Sequence, residues 1–378
     1  MKKQIVSAAI AAVMTVAIAG SSVMAADHKV GYNYLGAGAY SLSMLANNEK
    51  KVSDVLGQES LAVDDQFSVE QMVSDIENMI NSGCDGVAAW LISDALCQQV
   101  SILCQNNGTY FALADKVATD EGVISLLKGN EYFAGACGPA NEIYGSQLAE
   151  YALEQGWKTC IITSSAVGDA TDTPRLEAFK SVFEAGGGEI VDELHADQQQ
   201  DALPQIQDSL TAHGEVDVIY GTGSDYGVYA CTALEDYPSF GTKVVTSGLD
   251  EAALELLNDE NSPMAMVTGD CWMSGFFAAV FLQNALEGNT LKDADGKPIW
   301  IDDVQPFEVT PEKYPLYKKY FLDEFAYTDD EIKAMIGASY DEIVTIVHDY
   351  NLDNRLMAKY EAGIISADEM KEAGYEVG

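Results

Sequence analysis

The residues of this chain best suited to chemistry are carboxylates, basic side chains and aromatic rings that follow short apolar segments. Trp90 and the pair Asp115-Lys116 follow two such segments, and Asp225 and Asp250 follow two others further along the chain. Carboxylates accept hydrogen bonds, basic side chains donate them, and an aromatic face covers an apolar surface. These residue types in these places indicate non-covalent binding of a small polar molecule.

Sequence patterns of catalysis are missing. The chain has neither a G-x-S-x-G nucleophile elbow nor an H-E-x-x-H zinc motif, and its four histidines are scattered. The Gly-Ala-Gly loop at 36–38 falls short of a G-x-G-x-x-G loop because Ser41 occupies the last position. The segment 293–296 resembles half of a calcium loop without the downstream Glu, and we interpret it as a turn. We therefore expect no enzyme activity, no cofactor and no metal.

Composition excludes one class of partner. The chain has 60 Asp and Glu against 20 Lys and Arg, a formal charge of −40. Because such a chain repels phosphate backbones, we expect no nucleic-acid partner. Its seven cysteines are odd in number and contain no C-x-x-C pair, so neither zinc nor redox chemistry is indicated.

The first 26 residues have the order of a secretory signal. Lys2 and Lys3 precede an apolar run at 5–19 and small residues around Ala25. The segment 20–27 contains no Cys that could carry a lipid, so we expect an exported protein, periplasmic or extracellular, without a lipid anchor.

The elements that must position these side chains alternate between strand and helix. Each predicted strand is apolar at nearly every position, which is typical of a parallel sheet covered on both faces. Ser68 with Gln71 three residues later predicts a capped helix start. The repeated order predicts an α/β fold of two doubly wound parallel-sheet lobes, whose ligands gather at the carboxyl ends of strands. The predicted strands are 29–34, 60–63, 87–91, 110–114, 159–163, 189–191, 216–220, 243–246 and 264–268.

Four segments together resemble the ribose/galactose type of periplasmic sugar-binding protein. They are the opening strand with its small-residue loop to Tyr40, the helix–Gly-x-x-Gly–strand step at 78–87, the R-x-E-x-F helix start at Arg175, and the late segment 285–312. The resemblance covers roughly residues 28–315. No single segment is specific, but their order and spacing are.

The resemblance implies two lobes that close over a sugar about a three-crossing hinge. It divides the chain into a signal at 1–26, an N-terminal lobe of 27–138 plus 271–302, a C-terminal lobe of 139–270 plus 303–315, and a helical extension at 316–378. The extension reads as amphipathic helices, which either cap a lobe or dock a permease or another protein.

The resemblance also places nine ligand-binding residues. Arg175 aligns with the ligand arginine of the family, Lys116 stands where the family has Arg, and Asp270 stands where it often has Gln. Tyr40 and Trp90 could instead fill the core, and Trp272 could be a hinge-packing residue. Asp115 with Lys116 could form a solvated turn. The full set is Tyr40, Trp90, Asp115, Lys116, Arg175, Asp225, Asp250, Asp270 and Trp272.

This set holds several Asp against one Arg and one Lys, which departs from the usual hexose or pentose set. Neutral polyols, an amino sugar, a nucleoside and a furanosyl signal molecule therefore stay open. The resemblance implies a monomeric solute-binding component of an ABC importer, with a membrane permease as its partner. The alternatives are a receptor that presents its ligand to a membrane kinase or chemoreceptor, and an exported enzyme on the same fold.

Overall fold

The computed structural model describes residues 28–269 and 272–377. The predicted export signal at 1–26 and the predicted ligand residue Asp270 lie outside the described residues. Within the described ranges, no helix combines the length and apolar character that a membrane crossing requires.

Twelve strands run through the described residues. They are β1 (Lys29–Tyr34), β2 (Glu59–Asp64), β3 (Gly86–Ala89), β4 (Tyr110–Ala114), β5 (Phe133–Pro139), β6 (Thr159–Ser165), β7 (Glu189–Ala196), β8 (Val218–Gly221), β9 (Lys243–Ser247), β10 (Met264–Gly269), β11 (Ile299–Val304) and β12 (Phe307–Val309).

Helices fill most of the intervening segments. They are α1 (Tyr40–Leu56), α2 (Val69–Asn81), α3 (Asp94–Asn107), α4 (Glu121–Gly129), α5 (Asn141–Glu154), α6 (Asp172–Ala185), α7 (Ala202–His213), α8 (Ser224–Leu234), α9 (Glu251–Asn258), α10 (Met273–Leu286), α11 (Tyr314–Tyr317), α12 (Asp329–Met335), α13 (Tyr340–His348), α14 (Leu352–Glu361) and α15 (Ala367–Glu372). A π-helix at Lys318–Asp323 continues α11.

The strands form two six-stranded sheets, ordered β11-β5-β4-β3-β1-β2 and β12-β10-β9-β8-β6-β7. Neighbouring strands are parallel, except that β12 runs antiparallel to β10. We call the first sheet with α1–α4 and α10 the first lobe, and the second sheet with α5–α9 the second lobe. This arrangement confirms the predicted α/β fold of two doubly wound lobes followed by C-terminal helices.

The chain passes between the lobes after β5, after β10, and between β11 and β12. Seven buried aromatic side chains from α10, β12 and the C-terminal extension pack together next to these crossings. Tyr350 stacks on Phe307 with centroids 4.6 Å apart and meets Phe277 edge-on at 5.6 Å. We call this group the hinge cluster; its members are Phe276, Phe277, Phe307, Tyr317, Phe321, Tyr327 and Tyr350.

The C-terminal helices contact both lobes. In the first lobe, α12 packs against α1 and α13 against β11; in the second, α11 packs against α9 and α14 against β12. The extension is therefore a bridge behind the hinge rather than a cap on one lobe.

Several elements differ from the sequence prediction. The strand β5 was not predicted because its Gly and Pro residues are atypical of a strand interior. Gly135 is required there, since a Cβ on it would collide with Ile299 of the neighbouring strand. The helices α4, α9 and α14 were also missed. Ser68 occupies the N-cap of α2 as predicted, but its side chain makes no capping hydrogen bond.

One carboxyl group on α1 is buried without a hydrogen-bond partner among the described residues. Glu49 is fully buried against α10, with its Cγ facing Gly275, and neither carboxyl oxygen has a hydrogen-bond partner among the described residues. Burial, with the negative charge of Asp115 as a second cause, raises the pKa of Glu49 well above its usual range. The folded chain therefore keeps this carboxyl protonated at pH values where the unfolded chain releases the proton.

The wild-type chain is expected to lose stability as pH rises, and we expect the substitution Glu49→Gln to abolish this pH-dependent loss. Because the folded pKa is raised, the wild-type free energy of unfolding falls as pH rises above the unfolded value of about 4.3, by up to about 1.4 kcal/mol per pH unit. Denaturant unfolding from acidic to neutral pH measures the difference between the two chains. The exposed control Glu77→Gln should track the wild type at every pH, and a constant gap between wild type and Glu49→Gln would refute the proposed linkage.

Candidate functional site

Segments at the carboxyl ends of the two sheets meet between the lobes, in the region that we call the cleft. Lys116, just after β4 of the first lobe, donates from Nζ to Thr171 Oγ1 at 3.2 Å, and Thr171 directly precedes α6 of the second lobe. This contact brings the segments that follow the strands of both lobes together, as expected for ligand sites in open parallel sheets.

A buried amide organises the wall of the first lobe. Asn33 Nδ2 donates to Asp65 Oδ2 at 2.8 Å and to the Trp90 carbonyl at 3.0 Å, and Asn33 Oδ1 accepts from the Trp90 amide at 2.9 Å. Burial raises the pKa of Asp65 despite the bond from Asn33. Asn33 thereby ties the ends of β1, β2 and β3 into one unit and fixes the backbone that carries Trp90.

Asp115 is held in an unusual backbone conformation. Its φ of +64° lies in the left-handed region, and the Lys116 amide donates to the Ala114 carbonyl at 2.7 Å across it. Such strain costs about 1–3 kcal/mol and is concentrated at functional sites. Trp90 Nε1 donates to Asp115 Oδ2 at 2.9 Å, which leaves Oδ1 without a hydrogen-bond partner in the described chain. The carboxylate is therefore fixed in place with one acceptor oxygen available.

Aromatic rings lie at two depths along this wall. Trp90 and Trp272 are buried, and Tyr40 meets Trp272 edge-on with centroids 5.9 Å apart. Phe67 is 57% exposed and lies over the loop at 36–38, where a Cβ on Gly36 would collide with its ring. Trp90 and Trp272 thus support the wall, while Tyr40 and Phe67 are the more accessible rings.

Arg175 lies at the carboxyl end of the second sheet. Its Nε donates to Asn141 Oδ1 and its Nη1 to the Thr222 carbonyl, both at 3.1 Å, and the guanidinium stacks on Tyr144 at 4.4 Å. The helices α5 and α6 can approach this closely because residue 145 is a glycine. A Cβ at that position would overlap the Arg175 carbonyl. The side chain is pre-ordered, and its Nη2 makes no hydrogen bond within the described residues.

Two carboxylates follow neighbouring strands, β8 and β9, on the same side of the second lobe. Asp225 lies in the first turn of α8 and accepts from Gln199 Nε2. Asp250 is the N-cap of α9, where its Oδ1 accepts from the Ala253 amide at 2.7 Å. Partial desolvation, then the charge of Asp250, raises the pKa of Asp225, although its side chain retains access to water. A ligand group that donates hydrogen bonds would relieve this repulsion.

The structure therefore divides the predicted residues into groups. It joins Trp90 to Asp115, Tyr40 to Trp272, and Lys116 to the opposite lobe, and it places Arg175, Asp225 and Asp250 on the second lobe. Sequence reasoning missed Asn33 and Thr171. Asn33 supports the site through its hydrogen bonds to Asp65 and Trp90. It also missed Phe67, an aromatic residue four positions after the end of the predicted strand 60–63. No group of three or more metal-binding side chains occurs between residues 28 and 269 or 272 and 377.

Comparison with known proteins identifies relatives of this arrangement. Residues 33–290 match the model of the family described as a periplasmic binding protein domain. A periplasmic ribose ABC transporter protein from Conexibacter woesei is 20% identical with a TM-score of 0.65, and the alignment covers 78% of this chain and 96% of that chain. No curated protein matches the chain.

Two further structures contain ligands. An ABC transporter solute-binding protein from Burkholderia graminis, in complex with D-arabinose, is 18% identical with a TM-score of 0.60, covering 76% of this chain and 97% of that one. Another, from Agrobacterium vitis with bound allitol, is 18% identical with a TM-score of 0.58, covering 77% and 98%. At these identities the likeness establishes the fold.

We expect Asn33→Ala to weaken the first-lobe wall. The substitution leaves buried polar groups of Asp65 and Trp90 without partners, at a cost of about 2–4 kcal/mol in the free energy of unfolding. Urea unfolding measures this cost. The matched control Asn106→Ala, at an exposed position of α3, should change stability by less than about 0.5 kcal/mol; equal effects of the two substitutions would contradict the assigned role of Asn33.

Proposed function

The chain belongs to the periplasmic binding protein domain family, and from that premise we propose that it is the solute-binding component of an ABC-type importer. Its ligand is a sugar or sugar-like molecule held between the two lobes. The relatives that contain D-arabinose and allitol support this class of ligand. Residues 1–26 direct the chain out of the cytoplasm. Outside the cytoplasm it binds its ligand and then delivers it to the membrane permease.

The observation that carries the proposal is that hydrogen-bonding groups of both lobes lie at the carboxyl ends of their sheets, where the Lys116–Thr171 contact joins the lobes. Asp115 offers a free acceptor from the first lobe, and Arg175 offers a free donor from the second. Asp225 and Asp250 add acceptors on the second lobe. Hydroxyl groups both donate and accept, so a polyhydroxylated molecule can satisfy all of these groups at once.

Binding is coupled to movement of the lobes. A ligand held by only one lobe uses half of these groups, whereas closure lets both lobes bond to it and excludes water, which strengthens each bond. The Lys116–Thr171 contact responds to this closure, because a ligand or a change in the angle between the lobes alters the separation of those two side chains. The permease recognises the closed form, and the protein makes and breaks no covalent bond.

We expect Asp250→Asn to reduce ligand affinity while leaving the fold intact. An asparagine oxygen can still accept from the Ala253 amide, so the cap of α9 survives, but the charge-assisted bond to a ligand hydroxyl is lost. The expected loss is about ten- to a hundredfold in Kd. A thermal-shift screen of pentoses, hexoses, amino sugars, polyols and nucleosides finds the ligand, and calorimetry measures its Kd.

The matched control is Asp217→Asn, at the opposite end of the same sheet. Asp217 also accepts backbone hydrogen bonds, from the Lys158 and Thr159 amides at 2.7 and 2.9 Å, but it lies at the amino ends of β6 and β8. This control should bind the ligand like the wild type. Equal affinity of wild type and Asp250→Asn would remove Asp250 from the site, and chemical turnover of the bound compound would overturn the binding function itself.

A further inference from the structure

A second cavity lies away from the cleft, between α1 of the first lobe and the C-terminal extension. Its volume of about 540 Å³ is within the usual range for small-molecule sites, about 300–1,000 Å³. Met44 and Lys51 line it from α1, and Phe321, Tyr327 and Lys359 line it from the extension. The cavity therefore exists only because the extension packs on this lobe.

The ammonium group of Lys359 is buried on the wall of this cavity. The residue is only 4% exposed, and its Nζ donates to the Phe325 carbonyl at 2.9 Å. An ammonium has three N–H donors, so two of them have no acceptor among the described residues. Desolvation, with the charge of Arg355 as a second cause, lowers the pKa of Lys359. The ammonium also lies over the rings of Tyr320 and Phe321, 5.9 and 5.8 Å from their centres, and further acceptors would stabilise it.

The carboxylates near the cavity do not supply these acceptors. Asp329 is paired with Lys51 at 2.9 Å, and Asp323 is paired with Lys318 at 2.9 Å. The exposed Glu324 acts on Lys359 through space but makes no hydrogen bond with it. The free donors of Lys359 are therefore left to an occupant of the cavity.

The backbone beside Lys359 is also irregular. The segment Lys318–Asp323 is a π-helix, and the Glu324 amide donates to the Lys319 carbonyl five residues earlier at 3.2 Å. π-helical turns are rare and frequently mark functional sites. This turn contributes Phe321 to the cavity wall, and the ammonium of Lys359 lies 5.8 Å from the centre of that ring.

We propose that this cavity is a second binding site, for a small organic monocarboxylate with a flat apolar body. The carboxylate accepts from the two free donors of Lys359, and the apolar body packs against Phe321 and Met44. A single buried ammonium matches one negative charge. The nearby charge of Glu324 disfavours a dianion such as a phosphate monoester.

Titration of the full chain with benzoate by calorimetry tests this site, with benzamide as the neutral molecule of the same shape. We expect benzoate to bind, and benzamide to bind at least about tenfold more weakly, because it lacks the charge that pairs with Lys359. The substitution Lys359→Met keeps the apolar stem and removes the ammonium, and should weaken benzoate binding by about ten- to a hundredfold. The exposed control Lys371→Met should bind benzoate like the wild type.

A second variant keeps the test decisive if Lys359→Met fails to fold. Met44→Asp places a carboxylate on the opposite wall of the cavity, where it repels benzoate and competes for Lys359. We expect this variant to lose benzoate binding while it still binds the cleft ligand. Absence of benzoate binding to the wild type, or equal binding to wild type and both cavity variants, would overturn the proposal.

Discussion

The burial of the hinge cluster is the interaction on which the arrangement of the whole chain depends. Its seven rings come from α10, β12 and the C-terminal extension, so one apolar core holds elements of both lobes and the extension together. Each buried ring contributes about 1.5–3 kcal/mol, and each well-placed ring pair adds about 0.5–1.5 kcal/mol. The short helices of the extension, from 4 to 10 residues long, are too short to be stable alone and depend on this packing.

This constraint also bears on the proposed closure of the two lobes. The hinge cluster joins α10, β12 and the extension, whereas the Lys116–Thr171 contact joins the segment after β4 to the segment before α6. Under the proposed closure, the lobes would pivot about the cluster and change the separation at this contact. The first-lobe wall is itself rigid, because Asn33 ties three strand ends together and Trp90 fixes Asp115. Under the proposed closure, two pre-ordered walls on a shared pivot would lose little entropy, which favours tight binding of a small ligand.

Much of this fold could be predicted from the sequence, because parallel strands buried on both faces leave a clear apolar pattern. The missed elements broke that pattern: β5 contains Gly135 and Pro139, and α9 follows its N-cap Asp250, which was interpreted only as a ligand residue. The site was harder to predict. Sequence could place Trp90 and Asp115 at strand ends, but their mutual hydrogen bond and the role of Asn33 arise from packing across strands. The buried Glu49 likewise looked like one polar residue on a helix, and only the position of α10 shows that it is enclosed.

The most direct test of a ligand site between the lobes is hydrogen–deuterium exchange of the chain with and without its best sugar-like ligand. We expect amides after β3 and β4, at 90–93 and 115–118, to be protected together with amides after β8 and β9, at 222–226 and 248–251. Protection on both lobes at once requires a ligand that contacts both or closes them. Protection confined to one lobe, or to the extension alone, would contradict a shared site in the cleft.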